Sequence, residues 1–276
     1  MFQIEKLGEK IRNSNSVNAY IFDYNGKKYI FKRAKEKENK YNELIGEKIA
    51  KRMNIPCAHY FLGSYKGEDV IISEMFDVRH YYSMNKFLKT HAPRYNELDG
   101  NNLINIWNSF DSVFGQKTTE KLMGQLVKIF LFDILIDNRD RHDENFGLII
   151  EGGDVNFAPL FDNDMMFDAL SDKMDEISLG LEDGDVNGHL FDTGYNEGDL
   201  LTKFLRISDN KYLKELEGYL PIIEEDSITE ILLELKAEGV DISEDDKEAI
   251  LENFKYNLDK IKNIIKNHKG MNNNAL

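Results

Sequence analysis

The sequence predicts an α+β protein with two lobes, a β-rich N-lobe over residues 1–77 and a mainly helical C-lobe over residues 78–276. Short apolar runs separated by turn dipeptides predict strands in the N-lobe, whereas apolar side chains at helical spacing dominate after Asp77. Hydrophobic residues make up 41% of the 276 residues, so the chain can bury a sizeable core. This composition excludes an intrinsically disordered protein.

The N-lobe is predicted to contain one helix and four strands, the helix at residues 37–54 and the strands at 17–24, 27–34, 60–65 and 69–76. Asn25-Gly26 separates the first two strands, and this dipeptide suits a two-residue hairpin turn with positive φ at both positions. Lys66-Gly67 lies between the other two strands. Pro56 follows the end of the helix.

The C-lobe is predicted to contain a central helix at residues 119–137. Its apolar side chains lie on several faces, which is typical of a helix buried in a core. A second hairpin is predicted from strands at residues 146–150 and 155–161, around Gly152-Gly153. The two predicted hairpins therefore lie in different lobes.

The chain beyond the second hairpin is predicted to form a loop and then further helices. Residues 180–198 are rich in Gly and Asp, which is typical of a loop. Ser227-Ile-Thr-Glu230 and Ser243-Glu-Asp-Asp246 each resemble the N-terminal cap of a helix.

Charge and composition limit the classes of partner. Acidic residues outnumber basic ones, 50 to 35, and the net charge of −15 argues against direct binding to nucleic acid. The most apolar stretch, residues 122–136, is too short and too charged to cross a bilayer. No secretory signal is recognised, so a cytoplasmic protein without membrane contact is expected, with secretion as an effector left open. The single cysteine, Cys57, excludes a disulfide framework and a Cys-based zinc site, and a buried thiol is the favoured interpretation.

The most informative stretch is Asp137-Asn-Arg-Asp-Arg-His-Asp-Glu-Asn145-Phe-Gly147, between the central helix and the second hairpin. Asp140 and Asn145 have the spacing at which a phosphotransferase offers a base to a hydroxyl and a carboxamide oxygen to magnesium. Magnesium prefers oxygen ligands and usually combines one or two carboxylates with nucleotide phosphates. A second carboxylate is therefore expected nearby.

The geometry of the second hairpin supplies that carboxylate. If Gly152-Gly153 is the turn, Glu151 pairs with Asp154, and residue 162 falls opposite residue 143. Asp162 is then expected close to Asn145. Asp140, Asn145 or Asp162 taken alone is more typical of an ordinary loop cap, but together, at this spacing and around one hairpin, they favour a functional site.

The first hairpin predicts a nucleotide site in the N-lobe. Its register places Ile21 opposite Ile30, and Lys32 lies on the same face of its strand as Ile30. Ile21 and Ile30 could cover an adenine while Lys32 reaches phosphate oxygens. Lys32 is also compatible with a solvated strand lysine.

Two neighbouring segments could complete this site. Asn13-Ser-Asn-Ser-Val17 would lie over the phosphates as a flap, although a plain polar turn is an equally good interpretation. Glu43 and Glu47 are one helical turn apart, so either could pair with Lys32.

These motifs resemble a known family. Asp140-Arg-His-x-x-Asn145 followed by Pro159-Leu-Phe-Asp162 resembles the HipA-like kinases, and the first motif is also similar to that of phosphoinositide 3/4-kinase-like enzymes. The helix after the lysine strand and the hinge show weaker similarity, in Asn42-Glu43, Ile49-Ala50, Asn54-Ile-Pro56 and Glu74-Met-Phe76-Asp77. The resemblance covers residues 14–165 and implies a two-lobed protein-kinase-like fold.

The resemblance implies an ATP- and magnesium-dependent Ser/Thr protein kinase of HipA-like type. Asp140 would orient or deprotonate the acceptor hydroxyl, and His142 would support the catalytic loop. Family members can autophosphorylate a flap serine, here Ser14 or Ser16, which silences the enzyme. The implied metal ligands are Asn145 and Asp162. In the implied nucleotide site, Lys32 clamps the α- and β-phosphates and Glu43 fixes Lys32. The other implied nucleotide-binding residues are Ser14, Ser16, Ile21, Ile30, Glu74 and Phe76.

The resemblance has limits that leave the biological role open. The chain lacks the Gly-x-Gly-x-x-Gly, Asp-Phe-Gly and Ala-Pro-Glu segments of ordinary protein kinases, which argues against conventional activation-loop control. HipA toxins usually carry an extra N-terminal subdomain, which this chain is too short to include. A protein substrate and an antitoxin-like partner are therefore expected only in outline, for a toxin, an effector or a regulator.

Three other functions are compatible with part of the sequence. A lipid or small-molecule kinase on the same scaffold is disfavoured because anionic membranes would repel this acidic chain. A nucleotide-binding pseudokinase is disfavoured by the intact set of Lys32, Asp140, Asn145 and Asp162. A metal-dependent hydrolase built on Asp140, His142 and Asp143 is disfavoured because the other histidines lack ligand-like spacing.

Overall fold

A computed structural model describes residues 2–3, 19–32, 41–76, 79–91, 102–138, 141, 143–163, 166–167 and 197–273. The strands in these ranges are β1 Phe2–Gln3, β2 Ala19–Tyr24, β3 Lys27–Lys32, β4 Tyr60–Tyr65, β5 Glu68–Glu74, β6 Tyr81–Ser83, β7 Gly147–Glu151 and β8 Asp154–Phe157. The helices are α1 Asn42–Arg52, α2 Met84–His91, α3 Asn102–Phe114, α4 Gln116–Leu135, α5 Glu197–Ile207, α6 Leu213–Tyr219, α7 Glu225–Ala237 and α8 Glu244–Asn273.

The first five strands form one sheet in the order β1-β4-β5-β3-β2, in which β1 is parallel to β4 and the other pairs are antiparallel. Asn25 and Gly26 have φ angles of 50° and 79°, as the predicted hairpin turn requires. Ile21 lies opposite Ile30, so the predicted register of the first hairpin is confirmed. The sequence did not predict β1.

The two faces of this sheet have different roles. Tyr29 and Phe31 are buried on one face, in an apolar cluster that also contains Ile72. Lys32 points to the opposite face because side chains alternate along a strand. Its cross-strand neighbour Ile71 belongs to the core cluster that includes α1. The lysine therefore lies on the face of the sheet that packs towards the rest of the molecule.

The second sheet has the order β6-β7-β8. Glu151 pairs with Asp154 across the Gly152-Gly153 turn, which confirms the predicted register. Gly147 begins β7, and a Cβ atom there would lie 2.2 Å from the carbonyl oxygen of Tyr82. Only glycine therefore allows β7 to approach β6 this closely.

Helix α4 is the centre of the C-lobe, as predicted. Its side chains are buried around most of its circumference, and it contacts α3, α5, α6, α8 and β8. Asp133 is fully buried near its C-terminal end. No helix in the described part of the chain is long and apolar enough to cross a membrane.

The two predicted helix caps have different outcomes. Ser243 precedes α8, and its hydroxyl accepts the N–H of Asp246 at 3.1 Å, as a capping box requires. Ser227 is not a cap, because α7 already begins at Glu225. The predicted loop at 180–198 lies outside the described residues except for its end, where α5 begins at Glu197.

Candidate active site

Lys32 ends β3 and contacts a buried carboxylate from α1. Its Nζ lies 3.3 Å from Oε1 of Glu43, whose side chain is 3% exposed. Glu47, the other candidate partner, contacts Nδ1 of His59 at 2.7 Å and accepts the N–H of Tyr60 at 2.7 Å. Of the two glutamates, Glu43 is therefore the one beside Lys32.

A second carboxylate reaches the same ammonium group. Lys32 Nζ also contacts Oδ1 of Asp162, which is 130 positions away in the sequence and 33% exposed. Asp162 follows β8 and has a φ of 59°, in the left-handed region that non-glycine residues rarely adopt. Two acidic side chains from distant segments thus converge on one lysine.

The backbone at Asp162 is held by hydrogen bonds from the N-lobe. The N–H of Asp162 donates to the Tyr60 hydroxyl at 3.2 Å, and the N–H of Asn163 donates to Oε2 of Glu43 at 2.9 Å. Burial raises the pKa of Tyr60 well above its usual value, and the adjacent Glu43 carboxylate raises it further. The tyrosine therefore stays neutral and keeps its proton for donation.

Arg141 connects the segment that carries Asn145 to the segment that leads to Asp162. Its guanidinium is fully buried and donates to the Asp133 carboxylate, with the shortest contact at 3.1 Å, and to the side-chain oxygen of Asn163. A single nitrogen, Nη1, also donates to the carbonyl oxygens of Asn145 at 3.2 Å and Phe161 at 2.8 Å. Because one atom bonds both carbonyls, the loop at Asn145 and the segment leading to Asp162 lie side by side.

The Asp133–Arg141 pair is a buried ion pair with its hydrogen bonds satisfied. Burial raises the pKa of the Asp133 carboxyl, and the guanidinium of Arg141 opposes that rise. Nδ2 of Asn138 adds a hydrogen bond to the same carboxylate at 3.0 Å. Such a pair is costly to break, because removing one partner leaves an uncompensated buried charge.

The remaining predicted nucleotide-binding residues in the described ranges lie on β2, β3 and the end of β5. Ile21 and Ile30 are half-buried and face each other. Glu74 ends β5, and its Oε1 lies 2.5 Å from Nζ of Lys27. The ring of Phe76 lies 5.8 Å from that of Phe161, which directly precedes Asp162. The hinge segment is therefore adjacent to the candidate metal site.

Four predicted site residues, Ser14, Ser16, Asp140 and His142, lie outside the described residues. The hinge residue Asp77 lies outside them too. Arg141, which lies between Asp140 and His142 in the sequence, is described. Its side chain is held by the Asn145 carbonyl oxygen and the Asp133 carboxylate.

The donor atoms present fit magnesium bound together with a nucleotide. Within the described ranges, no cluster of three or more His, Cys, Asp or Glu side chains could hold a metal ion by itself. Asp162 offers a partly exposed carboxylate, and Asn145, a buried residue with a carboxamide side chain, lies on the adjacent segment. Oxygen donors of this kind suit magnesium when nucleotide phosphates complete its coordination.

Several residues that shape the site were not predicted to be functional. Tyr60, Asn163, Arg141 and Asp133 make their decisive contacts with residues far away in the sequence. Asp133 had one available signal, a carboxylate within the otherwise apolar run at residues 129–136. Tyr60 had none, because an aromatic residue at the start of a strand is typical of ordinary packing.

Comparison with known proteins identifies the family. A family model described as the HipA-like C-terminal domain matches residues 10–220, which is more than half of the chain. The chain belongs to the HipA-like family. The predicted resemblance is therefore confirmed. No curated protein sequence matches the chain significantly.

Solved structures support the same fold. The HipA-like chain is similar to the proinflammatory kinase CtkA of Helicobacter pylori, with a TM-score of 0.70 and 20% identity over 92% of this chain and 95% of CtkA. It is also similar to HipA of the Shewanella oneidensis MR-1 toxin-antitoxin system, solved with HipB and operator DNA. That match has a TM-score of 0.57 and 15% identity, and covers 92% of this chain and 65% of HipA. The predicted α+β kinase-like fold is confirmed.

Proposed function

We propose that this HipA-like protein is an ATP- and magnesium-dependent kinase that phosphorylates serine or threonine in a protein substrate. The observation that carries the proposal is the convergence of Glu43 and Asp162 on the ammonium group of Lys32. A kinase needs a lysine for the nucleotide phosphates, a carboxylate that holds this lysine and a second carboxylate for the metal. The family membership and the similarity to CtkA support the same assignment.

Lys32 would bind the α- and β-phosphates of ATP. The buried Glu43 carboxylate limits the orientations of the lysine, so its charge is already in place before the nucleotide binds. Ile21 and Ile30, on the strands of the same hairpin, would contact the adenine. The segment from Glu74 to Phe76, at the end of β5, would form one edge of the adenine site.

Asn145 and Asp162 would hold magnesium. The bound ion would neutralise negative charge on the phosphates. Arg141 donates to the backbone carbonyls of Asn145 and Phe161, so it would keep the two ligand-bearing segments side by side. Positioning of this kind supplies most of the catalysis in phosphoryl transfer.

Asp140 would accept or orient the proton of the acceptor hydroxyl, and His142 would support the catalytic loop. The oxygen of that hydroxyl attacks the γ-phosphorus of ATP, the bond to the β–γ bridging oxygen breaks, and ADP leaves. Both residues adjoin Arg141, whose buried side chain anchors the loop. Ser14 or Ser16 would be the site of autophosphorylation.

Mass spectrometry of the purified protein after incubation with ATP and Mg²⁺ tests this function. Phosphate on Ser14 or Ser16 in the wild type, and none in Asp140→Asn, is the expected result. Radiolabelled ATP offered with protein extract and, separately, with phosphoinositides tests the substrate class. Transfer to lipid alone would show a lipid kinase, and ATP binding without any transfer would show a pseudokinase.

An antitoxin-like protein partner is part of the proposal. The similar HipA chain of Shewanella oneidensis was solved with HipB and operator DNA. With a net charge of −15, this chain would reach DNA only through a partner. Co-purification from the native host, followed by identification of the bound protein, tests this partner and separates a toxin from an effector.

A further inference from the structure

Tyr60 contacts the candidate site through one buried hydroxyl group. The hydroxyl accepts the N–H of Asp162 at 3.2 Å. Glu43, the partner of Lys32, accepts the N–H of the next residue, Asn163, at 2.9 Å. Tyr60 itself begins β4 and is buried. The Tyr60 hydroxyl and the carboxylate that orients the lysine therefore accept consecutive backbone N–H groups at the expected metal ligand.

We propose that Tyr60 is a positioning residue that aligns Asp162 for magnesium-nucleotide binding and couples it to the Lys32–Glu43 pair. This inference rests on the proposed kinase function and adds a residue that neither the sequence motifs nor the family match assigns. Tyr60 does not touch the reacting atoms in this role; it acts through Asp162 and Glu43.

The backbone of Asp162 explains why such a residue is required. A φ of 59° costs free energy for a residue with a side chain, so surrounding contacts must hold it. The consecutive N–H groups of Asp162 and Asn163 donate to Tyr60 and Glu43. Loss of the Tyr60 hydroxyl would leave the first N–H without its acceptor and would allow the carboxylate of Asp162 to turn.

The direction of the hydrogen bonds is determined by the groups involved. A backbone N–H can only donate, so the Tyr60 oxygen accepts from Asp162, and the Glu43 carboxylate accepts from Asn163. The two acceptors hold adjacent N–H groups of one segment. A shift of either acceptor would therefore move the backbone that carries the Asp162 carboxylate.

Tyr60→Phe tests this role, because it removes the hydroxyl and keeps the buried ring. Tyr212→Phe is the matched control: Tyr212 is also buried, and its hydroxyl donates to the carbonyl oxygen of Glu120 at 3.1 Å, on the helical C-lobe. For both variants, the Mg²⁺ concentration for half-maximal binding of a fluorescent ATP analogue is measured, together with kcat, KM and the thermal unfolding midpoint.

We expect Tyr60→Phe to raise the required Mg²⁺ concentration by roughly 10- to 100-fold, the usual loss when a residue that orients a metal ligand is removed. Tyr212→Phe should lose similar thermal stability but keep the wild-type Mg²⁺ dependence. An unchanged Mg²⁺ dependence in Tyr60→Phe, or an equal shift in both variants, would overturn the inference and leave the kinase proposal intact. A wild-type protein that binds no magnesium-nucleotide complex would overturn both.

Should Tyr60→Phe unfold at the assay temperature, the Mg²⁺ titration is repeated on all variants at a temperature below its unfolding midpoint. The double variant Glu43→Gln/Tyr60→Phe gives a second measurement. Glu43→Gln removes the negative charge that holds the adjacent N–H group and Lys32, so its Mg²⁺ dependence should change little further when Tyr60→Phe is added. Independent, additive losses in the single and double variants would contradict coupling through the hydroxyl.

Discussion

Asp162 lies where the Lys32 ammonium, the Tyr60 hydroxyl and the segment anchored by Arg141 meet. Its carboxylate is partly exposed, which leaves it accessible to a metal ion. Asn163, the next residue, is fully buried. Adjacent positions in the chain thus hold an accessible candidate metal ligand and a buried residue.

Replacement of Asp162 with Asn should abolish magnesium-dependent nucleotide binding, because a neutral amide is a much weaker ligand for a hard cation. The fold should be retained, since the amide keeps the shape of the side chain. Isothermal titration of ATP with and without Mg²⁺ measures the effect.

Asp154→Asn is the control for this variant. Asp154 lies on β8, is largely exposed and pairs with Lys121 at 2.8 Å. Its replacement should leave the magnesium dependence unchanged. Persistent magnesium-dependent binding in Asp162→Asn would remove Asp162 from the metal site.

Arg141→Met should destabilise the protein by about 3–5 kcal/mol, because it leaves the Asp133 carboxylate buried without its positive partner. The measurement is the free energy of unfolding in urea. The double variant Asp133→Leu/Arg141→Met should recover part of that loss, since it removes both charges together. A single variant as stable as the wild type would contradict the structural role of this ion pair.

At the level of elements, α1 carries Glu43 and must lie close to the segment after β8. Gly46 makes this approach close: a Cβ atom there would lie 3.4 Å from Cβ of Asn163 and 3.4 Å from Sδ of Met166. The opposite end of α1 forms two ion pairs. The Arg52 guanidinium lies 2.7 Å from the carboxylate of Glu230 on α7, and Nζ of Lys48 lies 2.7 Å from the carboxylate of Glu238, which directly follows α7. The helix is therefore constrained at both ends.

Gly46→Leu should displace α1 from Asn163 and cost about 1–3 kcal/mol of stability, as overpacking of a core usually does. Nucleotide binding should weaken as well, since the shift moves Glu43 away from Lys32. Gly46→Ala, the matched control, adds only one methyl group and should remain within ~1 kcal/mol of the wild type. Urea unfolding and nucleotide titration of both variants provide the measurements. Equal behaviour of the two would show that α1 is not held closely at this point.

Local signals predicted the elements that carry most of the site. Asn25-Gly26 and Gly152-Gly153 determine two hairpin registers, so the sequence predicts the cross-strand neighbours of Lys32 and of the strand that leads to Asp162. The two-residue strand β1 was missed, because its parallel pairing with β4 joins segments far apart in the chain. The contacts of Tyr60 and Arg141 were missed for the same reason: each depends on which distant segment packs against them, and no local pattern encodes that.

On the scale of the whole molecule, the candidate site joins segments from both parts of the chain. Lys32 and Glu43 come from the N-terminal part, whereas Asp162 and the Arg141 network come from beyond the central helix α4. A ligand that binds all of these groups would hold the two parts together and would stabilise the folded state as a whole. The expected size of that stabilisation follows from mass action.

Magnesium and ATP together, at a concentration about 100 times the dissociation constant, should stabilise the fold by about 2.7 kcal/mol. For a chain of this size, that free energy corresponds to a rise in the unfolding midpoint of roughly 5–10 °C. Differential scanning fluorimetry with ATP alone, Mg²⁺ alone and both together measures it. The large shift should require both components, because in the proposed site Lys32 would bind the phosphates and Asp162 would bind the metal. A shift of the same size with ATP alone would show that nucleotide binding does not depend on the metal, contrary to the site proposed at Asn145 and Asp162.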